Sequence, residues 1–246
     1  MSRIRKIMPS NYSSYGSQVL YYSKFYDRIV GINSNGILGY FSNYPHILLE
    51  KPFKSNKGKK IIEVGAGQGE HVKFVTSNYT EYFVTDTDLS RLDRGKLDKN
   101  DRIYIQKVNA EQTNFKDNNF DRLISTCLLS HLRNPEKAIR EWRRIVKHGG
   151  YISIYVSTDP SLALRIFRKL ATKRKAKKLG FNGYELFIAR EHINSAQSLI
   201  EICKYNFRMD ELKIFYKPFI IKSWYLNFVC IVQIKINKNK SFDYGV

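Results

Sequence analysis

The sequence contains few of the residues that build metal centres and disulfide frameworks. Its 246 residues include three widely spaced cysteines and no CxxC pair, which argues against a disulfide scaffold or a zinc ribbon. Its five histidines show no HxxxH or HxH spacing, so we expect no metal site. The longest nearly apolar run, 225–234, is too short for a transmembrane helix, which needs roughly 20 residues.

Acidic residues are also scarce. Lys and Arg total 42 against 22 Asp and Glu, which gives a net charge of +20. A chain this basic favours an anionic partner: a phosphorylated metabolite, a nucleic acid or an anionic membrane surface. No apolar segment follows the basic residues near the N-terminus, which argues against a secretory signal. We therefore expect a cytoplasmic protein.

The pattern along the chain changes at residue 59. Residues 1–58 predict an N-terminal helical cap. From residue 59, short apolar strands alternate with helices, which is typical of a Rossmann-like, doubly wound α/β sheet. Two strand-like runs near the C-terminus predict an antiparallel addition to that sheet. We expect one domain over 59–246, with a substrate-determining insert at about 159–205.

A glycine loop follows the first strand of this pattern. Glycines at alternate positions of 65–69 let a ligand approach the backbone closely. A dinucleotide loop, G-x-G-x-x-G/A, needs a small residue at its sixth position, but Glu70 stands there, where a pyrophosphate would lie. Glu63 adds a second carboxylate at the strand end. The loop therefore predicts a ligand with a cation and no phosphate, such as S-adenosylmethionine.

An acidic residue at the end of the second strand completes this pattern. Asp88 accepts hydrogen bonds from ribose hydroxyls in this interpretation. Asp86 competes for the role, but Asp88-Leu89-Ser90 opens the next predicted helix, where a ribose should lie. A helix N-cap is the alternative role for Asp88, and the two roles are compatible.

Residues 59–157 resemble the class I S-adenosylmethionine-dependent methyltransferases, particularly the small-molecule branch that includes quinone-biosynthesis enzymes. The resemblance rests on motifs in the family's order: IEVGAGQG at 62–69, DLS at 88–90, NAE at 109–111, NFDRLIS at 119–125 and EWRRIVKHGG at 141–150. It implies a seven-stranded sheet with an antiparallel seventh strand, and S-adenosylmethionine as cofactor.

The resemblance also implies cofactor contacts, residue by residue. Asn109 stands where the family usually has an aspartate on the adenine amino group, and the backbone N–H of Ala110 would meet the adenine ring. Ser125 would offer a carbonyl near the methionine end, and Tyr26 would fold over the cofactor, with ordinary packing as its alternative. The implied set is Glu63, Gly65, Ala66, Gly67, Gly69, Asp88, Leu89, Asn109, Ala110, Ser125 and Tyr26.

Two histidines are candidates for a general base. His131 follows the fourth strand and matches a histidine common there in the family, with capping or packing as its alternative role. His192 is the second candidate. Cys127 is predicted to be a small core residue rather than a nucleophile, because no Pro-Cys dipeptide is present.

The C-terminal third of the chain is expected to determine which acceptor is methylated. Residues 161–178 form a basic amphipathic segment without an acid, which indicates a solvated face, an anionic substrate or a peripheral contact with the inner membrane face. Segments 184–192 and 218–227 are similar to surface-polysaccharide methyltransferases. We expect an anionic or phosphate-bearing small molecule or glycan (a sugar, nucleotide-sugar or lipid-linked glycan) as acceptor. The alternatives are a phospholipid or quinone acceptor at the membrane and an RNA acceptor, which the absence of a recognisable RNA-binding module disfavours.

Overall fold

The computed structural model describes residues 36–53, 57–181 and 184–239. Tyr26 and most of the predicted cap lie outside these ranges. The strands are β1 (Lys57–Val64), β2 (Asn78–Asp86), β3 (Ile103–Lys107), β4 (Phe120–Thr126), β5 (Val146–Ser157), β6 (Glu211–Lys217) and β7 (Val229–Lys235).

The helices alternate with these strands. The α-helices are α1 (Gly36–Glu50), α2 (Arg94–Leu97), α3 (Pro135–Ile145), α4 (Leu162–Phe167), α5 (Lys173–Lys178), α6 (Tyr184–Glu191) and α7 (Ala196–Asn206). Short 3-10 helices span Lys51–Phe53, Glu70–Phe74, Leu89–Arg91 and Leu128–Ser130, and a π-helical turn, Arg168–Thr172, joins α4 to α5. The start of α3 follows local chemistry, because Asn134 accepts the Lys137 N–H at 2.9 Å and Pro135 takes the first helical position.

One seven-stranded sheet has the order β3-β2-β1-β4-β5-β7-β6. Strands β1 to β5 pair in parallel, and β7 runs antiparallel to both β5 and β6. The predicted Rossmann-like fold with an antiparallel seventh strand is thus confirmed. The strand order reverses between β1 and β4, and ligands of such sheets bind at the carboxyl ends of the strands at this point.

The two faces of the sheet build two cores, since successive strand residues point to opposite sides. Ile61 packs with Leu49 of α1 and Tyr82 on one face. Ile62 packs with Trp142 of α3 and Leu199 of α7 on the other. The helices therefore cover both faces and leave the site to the strand ends.

Some element bounds differ from the sequence expectation. The pattern after the glycine loop predicts a helix over 70–77, but only the 3-10 helix Glu70–Phe74 forms, because Val75 is extended at its end and His71 is buried in a polar cluster instead of continuing an apolar stripe. Helix α6 was not predicted. Within the described residues, the structure contains no helix that is long and apolar enough to span a membrane.

Candidate functional site

The glycine loop begins directly after β1, and its three glycines have different roles. Gly65, Gly67 and Gly69 all have positive φ values, of 71°, 58° and 76°. A Cβ atom on Gly65 would lie 2.7 Å from Leu128 Cδ2, and one on Gly69 would lie 2.8 Å from Leu97 Cδ1. A Cβ on Gly67 would have no atom of the described residues within 4 Å. Packing therefore explains Gly65 and Gly69, whereas none of the described residues fills the space beside Gly67.

Glu63 lies buried beneath this loop, with 1% of its surface exposed. Its Oε2 accepts a hydrogen bond from the Tyr82 hydroxyl at 2.9 Å, and its Oε1 has no partner among the described residues. Burial, together with the nearby Glu50, Asp86 and Glu70 carboxylates, raises the pKa of Glu63 to about 8. A cation bound beside it would favour the ionised form, which suits the ligand that the loop predicts.

Asp86 and Asp88, at and just after the end of β2, have different roles. Asp86 Oδ2 accepts the Gly67 N–H at 2.8 Å, so Asp86 fixes the loop itself. Its Oδ1 accepts the Asp88 N–H at 3.0 Å. Asp88 is exposed, and its Oδ1 caps the Leu89–Arg91 turn by accepting the Ser90 N–H at 3.0 Å. The N-cap role for Asp88 is therefore observed, and it leaves the carboxylate at the solvent side of the loop.

The predicted adenine contacts lie at the next strand end. The Val108 N–H donates to the Asp86 carbonyl at 2.9 Å, which places Asn109 beside β2. Asn109 Oδ1 already accepts the Glu111 N–H at 2.9 Å, and a carbonyl oxygen can accept a second bond. Ala110 is buried, and its carbonyl accepts from Trp142 Nε1 at 3.0 Å. Ser125, near the end of β4, is fully buried with no partner for its Oγ in the described part of the chain.

The two candidate bases, distant in sequence, lie side by side. The rings of His131 and His192 meet edge to face, with centroids 4.8 Å apart. His192 is 5% exposed, and its Nδ1 lies 2.5 Å from Asp159 Oδ2. Arg168 binds both oxygens of Asp159, and these bonds from His192 and Arg168 outweigh burial, so the pKa of Asp159 falls well below its usual value. An ionised Asp159 makes Nδ1 of His192 the donor of that hydrogen bond.

His131 differs from its neighbour in exposure. About a third of its side chain (36%) is exposed, and its Nδ1 lies 3.8 Å from Glu191 Oε2. Partial burial and the adjacent His192 lower the pKa of His131 to about 4. His131 is therefore neutral at physiological pH, as a proton acceptor must be.

Sequence reasoning missed the residue that holds this cluster together. Asn194 Nδ2 donates to the carbonyls of Leu129 and Leu132, at 3.0 and 2.6 Å, on both sides of His131. The Leu128–Ser130 turn, which contacts Gly65 through Leu128, leads directly into His131. We call His131, His192, Asp159 and Arg168 the acid–base cluster. This cluster therefore lies next to the glycine loop. A polar residue two positions after His192 was the only available signal.

Cys127 behaves as a structural residue. It begins the Leu128–Ser130 turn with a φ of 60°, and its N–H donates to the Tyr155 carbonyl at 2.9 Å. Burial raises the pKa of its thiol to about 12. A thiol with this pKa supplies almost no thiolate at neutral pH, which argues against a nucleophile. Cys127 is only partly buried, so it lies at the margin of the core and not within it as predicted.

A second feature that the sequence did not reveal is a buried polar network beneath the loop. Arg122 of β4 binds both oxygens of Glu50, at 2.9 and 2.8 Å, and lies over the Phe53 ring. His71 Nε2 lies 2.9 Å from Glu50, and the Nδ1 atoms of His46 and His71 lie 2.8 Å apart. Although burial alone would raise the pKa of Glu50, these partners lower it. The network ties α1 and the Glu70–Phe74 turn to the sheet.

Residues 62–154 match the family model described as "Methyltransferase domain". These residues form a methyltransferase domain. Its sheet agrees with the class I S-adenosylmethionine-dependent methyltransferases that the motifs resemble. The match begins in β1, one residue before Glu63, and ends within β5, so it includes the glycine loop, Asp86, Asp88 and His131.

Curated relatives share part of this methyltransferase domain. The chain is 27% identical over 114 residues to the ubiquinone/menaquinone biosynthesis C-methyltransferase of Coxiella burnetii, which covers 43% of this chain and 46% of that protein. It is 27% identical over 113 residues to a highly reducing polyketide synthase of Penicillium polonicum, which covers 42% of this chain and 4% of the synthase. The chain thus matches less than half the length of either relative.

Solved structures share the fold over most of the chain. A candidate S-adenosyl-L-methionine-dependent methyltransferase of Methanococcus maripaludis aligns with a TM-score of 0.60 and 16% identity, covering 96% of this chain and all of that one. The C-methyltransferase domain of the citrinin polyketide synthase aligns with a TM-score of 0.57 and 17% identity, covering 92% of this chain and 58% of that one. At these identities the likeness establishes the fold of the methyltransferase domain.

Proposed function

We propose that this chain transfers a methyl group from S-adenosylmethionine to a small-molecule acceptor, with His131 as the general base. The observation that carries the proposal is the space beside Gly67, which no described residue fills. The glycine loop follows the buried Glu63 and contacts, through Gly65 and Leu128, the turn that leads into His131. The cofactor supplies an electrophilic methyl group on a sulfonium. Most of the remaining catalysis is positioning.

The residues around the loop suit this cofactor. The loop Gly65–Gly69, with Ala66, would line its methionine part, and the unpartnered Glu63 oxygen would face its positive charge. Asp88 with Leu89 would meet the ribose, with Asp86 fixing the loop behind it. Asn109 and Ala110 would meet the adenine, and Ser125 the methionine end. The role of Tyr26 stays a prediction.

The acid–base cluster accounts for the acceptor side. His131, neutral and partly exposed, would take the proton from the acceptor, while Asp159 and Arg168 hold His192 against its ring. Asp159, Arg168 and His192 all come from 159–205, which supports the proposal that this segment of the 59–246 domain determines the substrate. The contribution of the 1–58 cap stays a prediction.

The acceptor class is a narrower proposal. The C-terminal resemblance favours an anionic small molecule or glycan, and the C-methyltransferase relative extends the acceptor atoms to activated carbon. A phospholipid or quinone acceptor at the inner membrane face is the second candidate. One observation favours it: the apolar and basic surface beside the cluster, described below.

Cofactor binding is tested by thermal unfolding. We expect S-adenosylhomocysteine at 100 times its dissociation constant to stabilise the protein by about 2.7 kcal/mol, and NAD to have no effect. Gly67→Arg should abolish the shift. Gly149→Arg is the matched control, because Gly149 also has a positive φ of 72° and open space around its Cβ position but lies at the opposite end of the sheet. A retained shift in Gly67→Arg would refute the placement of the cofactor.

Acceptor chemistry is tested by labelling. The protein is incubated with methyl-labelled S-adenosylmethionine and a metabolite and lipid extract, and labelled products are identified by mass spectrometry. Label in sugars or nucleotide-sugars supports the first candidate, and label in lipids supports the second. Label only in RNA contradicts both.

A further inference from the structure

An exposed apolar surface lies beside the acid–base cluster. One half belongs to the helix α4 and the π turn, and the other half to the loop 218–228 between β6 and β7. Its members are large apolar side chains at least a third exposed: Leu162, Ile166, Leu170, Phe219, Ile220, Ile221, Tyr225 and Leu226. We call this set the docking surface. Single exposed apolar residues are ordinary, but a contiguous group marks an interaction site.

The two halves are physically joined. The Leu162 N–H donates to the Tyr225 carbonyl at 3.1 Å, which fixes the start of α4 against the loop. Beneath them, the rings of Phe167 and Phe228 lie 5.8 Å apart, and Phe41 contacts both. These contacts join α4 to the loop, so the two halves of the docking surface adjoin each other.

A buried asparagine organises the loop so that its apolar tip points outward. Asn227 is fully buried, its Oδ1 accepts the Phe219 N–H at 2.7 Å, and its Nδ2 donates to the carbonyls of Ile221 and Ser223, both at 2.9 Å. Ile220, at the tip, is 95% exposed. The backbone around Asn227 is thus satisfied internally while the isoleucines face solvent.

Basic residues lie alongside the exposed apolar side chains of the docking surface. Arg165, Lys169 and Lys173 are exposed at helical spacing beside Ile166 and Leu170, and Lys222 follows the isoleucines in the loop. Residues 162–178 contain no acid, although Lys173 contacts Glu185. An anionic bilayer offers lipid phosphates to the basic side chains and, just below the headgroups, an apolar interior to the aliphatic ones. Nucleic acid matches the charge but offers no partner for aliphatic side chains.

We infer that the docking surface binds the anionic surface of a lipid bilayer, with Ile220 and Ile221 inserted below the headgroups and the lysines against lipid phosphates. Arg168, at the start of the π turn that follows α4, binds Asp159, so docking brings the acceptor side of the site to the membrane. Where the proposed methyl transfer also holds, its acceptor is an amphiphile drawn from the bilayer. Docking is measured without turnover, so the two proposals fail separately.

Vesicle flotation with the full chain tests this inference. We expect binding to phosphatidylcholine vesicles that contain phosphatidylglycerol, and weak binding to phosphatidylcholine alone, at about 0.1 M salt. Ile220→Glu with Ile221→Glu should weaken binding about tenfold or more. Tyr104→Glu is the matched control, since Tyr104 is also exposed but lies on β3, at the opposite edge of the sheet.

Fluorescence gives a second readout. The chain has two tryptophans. Trp142 is fully buried, and Trp224 is partly buried in the loop 218–228. A blue shift on adding anionic vesicles, lost in Trp224→Phe, supports insertion of the loop. The inference is overturned if the protein ignores anionic vesicles, if the isoleucine variant binds as the original does, or if RNA binds tightly while vesicles do not.

Discussion

Replacing Glu63 by glutamine tests how the protein prepares its cofactor pocket. In the folded state burial raises the pKa of Glu63 to about 8, against an ordinary value of 4.5. Between these two values the folded protein holds a proton that the unfolded chain has released. The stabilisation from this group is therefore complete below pH 4.5 and is lost as the pH rises through 8.

The magnitude follows from the shift. Each pKa unit corresponds to about 1.4 kcal/mol, so ionisation of Glu63 should lower the free energy of unfolding by roughly 3–4 kcal/mol between pH 5 and pH 8. Glu63→Gln keeps an acceptor for the Tyr82 hydroxyl and cannot ionise. We expect the stability of the variant, relative to that of the original protein, to rise by about this amount between pH 5 and pH 8.

Urea unfolding at the two pH values measures the difference. Glu201→Gln is the control, because it removes an exposed glutamate from α7 and should behave alike at both pH values. Calorimetry adds a second test: binding of cationic S-adenosylmethionine near pH 7 should release a proton from the original protein and none from Glu63→Gln. A stability difference that does not change with pH would refute the reasoning.

The remaining predictions concern the base and the buried network. His131→Ala should lower turnover by about 10²–10⁴-fold while leaving the thermal shift with S-adenosylhomocysteine unchanged; equal turnover in the variant contradicts the assigned base. Because the pKa of His131 is lowered to about 4, activity should persist to pH values well below 6.5 in a pH–rate profile. Arg122→Met should cost about 3–5 kcal/mol in urea unfolding, since it leaves Glu50 buried without its cation, and adding Glu50→Gln should recover part of that loss.

Local sequence was sufficient for the parts of the site that depend on neighbouring residues. The Asp88 cap on the Ser90 N–H and the Asn134 cap on the Lys137 N–H join residues two or three positions apart, so local sequence indicates them. The alternate glycines at 65–69 are also visible in the sequence, but the bond from Gly67 to Asp86, 19 positions away, is not. The order of the family's motifs along the chain predicted the seven-stranded sheet with its antiparallel strand. Short-range chemistry of this kind can be read directly from the sequence.

The rest depends on contacts between distant residues. His131 and His192 were both candidates, but their pairing requires Asn194 to bind carbonyls more than 60 positions away. The protonation of Glu63 likewise follows from its burial, which no local pattern announces. The 3-10 turn after the loop replaces a full helix because His71 reaches a carboxylate on α1.

The net charge of +20 is another property that the sequence gives only in part. From the sequence it indicates an anionic partner without locating the contact. In the structure, several acids are held by arginines within the fold: Asp159 by Arg168, Glu141 by Arg144 and Asp210 by Arg143. Each of these pairs is neutral, so the excess charge lies on the remaining lysines and arginines. The segment 162–178, beside the acceptor side of the site, contains several of these basic residues and no acid. An anionic bilayer would meet the molecule there, at the face that also exposes its isoleucines.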